Sequence, residues 1–158
     1  MKILFKFLDP ADVVEDAIET AELLEEYLLF RYKSGELPVH TAIQFSDGRC
    51  FQVTKAGGAN WFDPDKAPGR WTAFDVPSEW LPFGEAPAVA WCEAIVGAVY
   101  DTEGVMSAGC DCDIRHAERL FCSLHSIECL SRCGKFGIPP MLTPGKLYLY
   151  CYPEGTLR

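Results

Sequence analysis

The sequence predicts an α+β fold in which a small antiparallel sheet packs against helices. Two patterns support this class: short apolar runs that flank turn residues, and longer segments whose apolar residues recur at helical spacing. The chain has 158 residues, of which 49% are hydrophobic and 23% are charged, and both values are typical of one globular domain. We therefore predict a single domain over residues 1–158, with a strand and an acidic helix in residues 1–34 and the core in residues 35–158.

The N-terminal segment combines an apolar strand with an acidic helix. Residues 1–8 form an apolar run that is too short for the core of a secretory signal, so we predict a first strand there. Residues 9–33 carry apolar side chains at helical spacing, and Asp9 and Pro10 suit the cap and the first helical position. Residues 9–26 hold eight acidic and no basic side chains, so this helix accounts for most of the net charge of −9.

Charge and hydropathy exclude several classes of partner. The acidic chain lacks the excess of Lys and Arg that nucleic acid binding requires. No apolar run reaches the ~18 residues of a membrane-spanning helix, so no integral membrane segment is expected. Because no export signal is visible, we expect a cytoplasmic protein whose eight cysteines stay reduced. Nothing in these patterns indicates an oligomeric state.

Two further strands are predicted on either side of a turn. Apolar residues alternate in residues 39–45 and in residues 50–54, and the turn between them reads Ser-Asp-Gly-Arg. If both apolar sets face one core, residues whose numbers have the same parity must pair across the two strands. That parity places His40 and Gln52 together on the opposite face.

Four more elements are predicted downstream. They are a strand over 71–76, helices over 87–100 and 120–133, and a final strand over 146–152. Gly134 suits the position after the second of these helices. The glycine-, proline- and tryptophan-rich residues 55–88 are otherwise interpreted as loop, of the kind that often contacts substrates.

Cys122 has the best setting of the cysteines for catalysis. It lies where a loop enters a predicted helix, and the free amides and positive dipole end of a helix start favour a thiolate. A thiolate nucleophile needs a proton acceptor and a group that orients the acceptor, and His40 and Gln52 would supply them. The structural alternative is that Cys122 packs the core, as free cysteines often do.

These residues resemble the NlpC/P60 papain-like superfamily, in its circularly permuted branch of YiiX-like and lecithin:retinol-acyltransferase-like proteins. The motifs that carry the resemblance occur in the family's order: residues 39–43 ("HVxI"), Gln52 (third polar position), Tyr100-Asp101 ("YD"), Phe121-Cys122-Ser123 ("fCSE") and Thr143-Pro144 ("tP"). Three features depart from the pattern. Leu124 stands where the family commonly has Glu, the family's usual export signal is missing, and the initial acidic helix is not part of the motif set.

The resemblance implies a permuted papain-like fold with the acidic helix as an extra element. It also implies a thiol-dependent hydrolase, of peptidase or amidase type, or an acyltransferase. Cys122 would attack an amide, ester or thioester carbonyl, His40 would carry the proton, and Gln52 would orient His40. Amides at the helix start, with Tyr100 and Ser123, would hold the substrate and its oxyanion. The substrate would be a small peptide, amide or lipid, and no cofactor or metal is expected.

Two other classes stay open. A catalytically silent binding module on the same fold is favoured by the missing Glu after Ser123. A small zinc-binding protein would use Cys110, Cys112, Cys129 and Cys133, although a C-x-C pair matches structural zinc sites poorly.

The other thiols and imidazoles receive structural interpretations. Cys50, Cys92 and Cys151 are interpreted as packing residues. His116 and His125 are expected to face solvent or to support other polar groups. A rival dyad of Cys110 or Cys112 with His116 lacks the helix-start setting.

Overall fold

The computed structural model describes residues 1–7, 38–66, 70–104 and 119–153. The predicted acidic helix of residues 9–33 lies outside these ranges, and so do Cys110, Cys112 and His116. Elements are numbered below over the described ranges alone.

Five strands form one antiparallel sheet. They are β1 (Lys2–Phe7), β2 (Pro38–Gln44), β3 (Cys50–Thr54), β4 (Gly58–Phe62) and β5 (Arg70–Asp75), in the spatial order β4-β3-β2-β1-β5. The predicted strands β1, β2, β3 and β5 are confirmed. Strand β4 was not predicted, because its Gly-Ala-Asn start has little strand propensity. It forms by pairing along β3.

The register of β2 on β3 has the predicted parity. Ile43 lies opposite Phe51, and Ala42 lies opposite Gln52. The apolar residues of both strands therefore share one face of the sheet, and His40 and Gln52 share the other.

In the described part of the chain, three α-helices lie on the side of the first of these faces, which we call the helix face. They are α1 (Ala86–Ala94), α2 (Cys122–Arg132) and α3 (Pro144–Cys151), and a short 3₁₀ turn spans Ser78–Trp80. Apolar side chains from the strands and from all three helices form the main core between them, including Ile3, Phe5, Ile43, Phe51, Cys92, Ile127, Leu130 and Leu147.

The other face of the sheet is concave. In a flat sheet the outer strands β4 and β5 would lie about 19 Å apart, at four strand spacings of about 4.8 Å. Yet the rings of Phe62 in β4 and Trp71 in β5 are only 5.8 Å apart, centroid to centroid. The sheet therefore curls until the side chains of its two edges meet. They enclose a second small core with Leu4, Ala42 and Cys50.

The helices confirm one prediction and correct two. Helix α2 matches the predicted 120–133 closely, and Gly134 follows it with a φ of 105°. Helix α1 ends at Ala94, six residues before the predicted end, and the chain then turns at Gly97, where φ is 84°. None of the helices in the described ranges is long and apolar enough to cross a membrane.

The predicted final strand over 146–152 is wrong, because these residues belong to helix α3. The Thr143 side chain caps the helix by accepting a hydrogen bond of 3.2 Å from the Lys146 amide, and Pro144 follows in the first turn. These start signals outweigh the strand propensity of the alternating Leu and Tyr residues. Cys151 therefore lies in a helix and not in a strand.

Candidate functional site

The sheet brings two of the predicted catalytic residues together. The His40 Nε2 and Gln52 Oε1 atoms are 3.2 Å apart on the concave face, and the Trp71 ring lies 5.9 Å from the imidazole. Burial lowers the pKa of His40 to about 4, the Gln52 hydrogen bond opposes this change, and the Lys6 charge adds to it. The imidazole is therefore neutral at physiological pH, as a proton acceptor must be.

Cys122 is the first residue of α2, as predicted, and its side chain is buried. The Ser126 hydroxyl, one turn along the helix, donates a hydrogen bond of 3.1 Å to the Thr41 Oγ1 atom. This contact seats α2 on the helix face, and the alternation of β2 directs the neighbouring His40 to the concave face. The described contacts thus join His40 to Gln52 and join α2 to Thr41.

The two residues predicted to bind the substrate and its oxyanion hold the entry to α2 in place. Tyr100 forms a parallel β-bridge with Leu120, two residues before Cys122. The Ser123 hydroxyl donates a hydrogen bond of 2.6 Å to the Leu142 carbonyl, which ties α2 to the segment before α3. Their roles in binding an oxyanion stay predictions.

A different group of reactive side chains converges between α1 and α2. The Cys92 Sγ atom lies 3.5 Å from the His125 Nε2 atom and 3.7 Å from the Cys129 Sγ atom. The Cys129 Sγ atom lies 3.4 Å from the same nitrogen. All three residues have 0% relative exposure. The alternative that His125 faces solvent is therefore wrong. Cys92 is buried, as expected of a packing residue, and its thiol faces these two groups.

The imidazole of His125 is clamped between aromatic rings. Trp91 stacks on it at 5.5 Å with an interplanar angle of 14°, and Phe51 covers it from 5.1 Å. The Arg132 guanidinium lies 3.9 Å above the Trp91 ring, which extends the stack. The Nδ1 atom of His125 is buried and has no hydrogen-bond partner in the described part of the chain. The ring is thus oriented by stacking, with Nε2 directed at the two thiols.

The electrostatics of the cluster favour a thiolate. The hydrogen bond from Cys129, assisted by His125 and Arg132, lowers the pKa of Cys92 to about 6 against the opposing effect of burial. Burial and the neighbouring Cys92 raise the pKa of Cys129. These opposite shifts favour a thiolate on Cys92 over one on Cys129.

The sequence alone does not reveal this cluster, for a physical reason. His125 and Cys129 stand four residues apart on one helix, so they face the same side, and this spacing was a usable signal. Cys92 comes from another helix 33 positions upstream, and only the packing of α1 on α2 brings it there.

Comparison with protein-family models, with curated proteins and with solved structures found no match to this chain. The resemblance to the NlpC/P60 superfamily therefore stays a prediction.

Proposed function

We propose that this chain is a zinc-binding protein whose metal is held between α1 and α2 by Cys92, His125 and Cys129. The observation that carries the proposal is the size of the donor triangle. In a tetrahedral site with Zn–S near 2.3 Å and Zn–N near 2.0 Å, two sulfurs lie about 3.8 Å apart and sulfur and nitrogen about 3.5 Å apart. The corresponding distances here are 3.7 Å between the sulfurs, and 3.5 and 3.4 Å from sulfur to nitrogen.

Hydrogen bonds between the three groups account for this geometry less well. The Nε2 atom of a neutral imidazole has either one N–H or one lone pair, so it forms one good hydrogen bond. Here two sulfur atoms approach the same nitrogen at nearly equal distances. A metal ion at the centre would contact all three donors at once, so the two thiols would not have to compete for a hydrogen bond to one nitrogen.

The donor set favours zinc and a structural role. Thiolate and imidazole ligands suit zinc, and the lowered pKa of Cys92 provides one thiolate near neutral pH. Catalytic zinc sites keep a position open to solvent, whereas all three donors here are buried. The three described donors leave one of the four positions of a tetrahedral ion to a further ligand.

Metal analysis of the purified protein tests this proposal. We expect about one zinc per chain in the wild type, and less than a tenth of that in Cys92→Ser and His125→Gln, because each variant removes one donor. Elemental analysis after purification without chelators, and again after reconstitution with zinc sulfate, gives the stoichiometry. A wild-type chain that holds no zinc after reconstitution contradicts the proposal.

Cys133→Ser is the matched control. Cys133 is a buried thiol at the end of the same helix, four residues beyond Cys129. It is eight residues from His125, which corresponds to about 12 Å along a helix. That separation is too long for an imidazole and a thiol to share one ion. We therefore expect Cys133→Ser to keep its zinc.

A thiol-dependent hydrolase or acyltransferase centred on Cys122 is the second candidate function. The 3.2 Å contact between His40 and Gln52 and the position of Cys122 at the start of α2 support it. The N-cap residue of α2, Phe121, has no side chain that can accept hydrogen bonds, and backbone amides at a helix start are the kind of group that holds an oxyanion. This function also requires the His40 ring to reach Cys122 from the concave face.

Competitive labelling with iodoacetamide separates the two functions. For the hydrolase, Cys122 is the fastest-labelled thiol below pH 7, and His40→Ala slows it at least tenfold because the base is lost. For the zinc protein, Cys92 and Cys129 label only after a chelator is added. Mass mapping of the labelled peptides identifies each site, with Cys50 as a buried reference thiol outside both groups. Equal labelling of Cys122 in the wild type and in His40→Ala excludes the hydrolase.

A further inference from the structure

We infer that the zinc site controls the docking of helix α1 and, through the segment after it, the arrangement of the residues that lead into Cys122. This inference rests on the proposed function and gives metal binding a regulatory consequence. Three features of the fold support it: the few fully buried residues of α1, the contacts of the segment that follows α1, and the place where that segment ends.

Helix α1 has few fully buried residues, and its partly buried apolar contacts are those of Val89 and Trp91, whose ring stacks on His125. Only Ala88 and Cys92 are buried among its nine residues. In α2, by contrast, eight of eleven residues are buried. Because hydrophobic stabilisation follows the apolar area that is removed from water, α1 depends on other contacts for its position.

Those other contacts include the largely buried ion pair between the Met1 amino group and the Glu85 carboxylate, together with polar contacts at the surface. The Arg49 side chain bonds the Glu93 carboxylate at 3.2 Å, and both groups are about half exposed. Ser46 donates hydrogen bonds of 2.8 and 3.0 Å to the Glu85 carboxylate just before the helix. Exposed ion pairs contribute little to stability, because water screens them. A metal bond through Cys92 would add a direct attachment of α1 to α2.

The segment after α1 connects it to both sides of the core. The Gly97 amide donates to the Ala59 carbonyl at 2.8 Å, and the Ala59 amide donates to the Ala98 carbonyl at 2.9 Å. Both bonds fasten the segment to strand β4. Three residues later, the Asp101 amide donates to the Leu120 carbonyl at 2.8 Å, two residues before Cys122.

Loss of zinc would thus act along a continuous stretch of chain. Without the metal, α1 loses its bond to α2 and keeps the Trp91 stack and its polar contacts, so it opens at a lower free-energy cost. Residues 97–101 follow α1 after two intervening residues, so opening of α1 frees the N-terminal end of this segment. The entry to α2 then loosens, while β1, β2, β3 and α3 keep their own packing in the main core.

Hydrogen exchange of the full chain tests this inference. We expect zinc removal to speed amide exchange at least tenfold in residues 86–101, and to change residues 2–7 and 144–151 less than twofold. Cys92→Ser should exchange quickly in residues 86–101 even in the presence of zinc, and a chelator should add nothing further. Cys133→Ser should behave as the wild type does. Zinc content is measured by elemental analysis on the same samples.

Each other outcome overturns the inference in an identifiable way. If zinc is bound and then removed without any change in residues 86–101, metal binding does not control α1, and the proposed function stands. If exchange rises equally throughout the chain, the metal stabilises the whole domain and not this segment. If the wild type holds no zinc, the proposed function and the inference fail together.

Discussion

Adding zinc to the metal-free wild-type chain is expected to raise its free energy of unfolding by about 4 kcal/mol once free zinc exceeds the Kd a thousandfold. The reason is that a ligand that binds only the folded state stabilises that state by mass action. The three donors come from two separate helices, so the unfolded chain does not present them together. Urea denaturation at increasing buffered concentrations of zinc measures the effect.

Two variants control this experiment. The free energy of unfolding of Cys92→Ser should rise by less than about 1 kcal/mol over the same range of zinc concentrations. The reason is that a variant with low affinity for zinc is little stabilised by it. Cys133→Ser should gain as much as the wild type, since this thiol lies too far from His125 to share the ion. An equal gain in Cys92→Ser would show that zinc stabilises the fold from another site.

Lowering the pH from 6.5 to 4 is expected to destabilise the protein by up to about 3 kcal/mol through His40 alone. Burial lowers the pKa of this imidazole to about 4 in the folded state, from 6.5 in the unfolded chain. Between these values the unfolded chain binds a proton that the folded chain does not. The stability is therefore complete above pH 6.5, is lost as the pH falls, and levels off below pH 4.

His40→Gln isolates this contribution from that of the carboxylates, which titrate in the same region. The variant keeps a polar side chain opposite Gln52 but has no proton to gain. We expect its free energy of unfolding to fall by about 2–3 kcal/mol less than that of the wild type between pH 6.5 and 4. Parallel pH profiles for the two proteins would show that His40 is not held neutral by burial.

Local patterns predicted much of the fold. The alternation of apolar residues was enough to set the parity of β2 on β3, because a slip of one residue would bury the wrong face of both strands. That parity correctly brought His40 and Gln52 together. The start of α2 at Cys122 was likewise readable from its flanking residues.

The wrong or missing predictions of secondary structure arose where two structural preferences compete. The alternating Leu and Tyr residues after Pro144 favour a strand in isolation, yet the Thr143 cap starts a helix there. Strand β4 has weak propensity of its own and depends on its neighbour. The convergence of Cys92 on His125 and Cys129 was missed because the packing of α1 on α2 is a tertiary contact, which the spacing of residues along the chain does not encode.

The hydrogen bonds between Ala59 and residues 97–98 also cover part of an edge of the sheet. Strand β4 is an edge of the sheet, and an edge with open amides and carbonyls is a template on which a second chain can add a strand. At Ala59 the outward amide and carbonyl are already taken by Ala98 and Gly97. The turn after α1 therefore occupies the backbone groups of Ala59 at this edge. The contacts that keep α1 docked also keep these groups unavailable for pairing with a strand of a second chain.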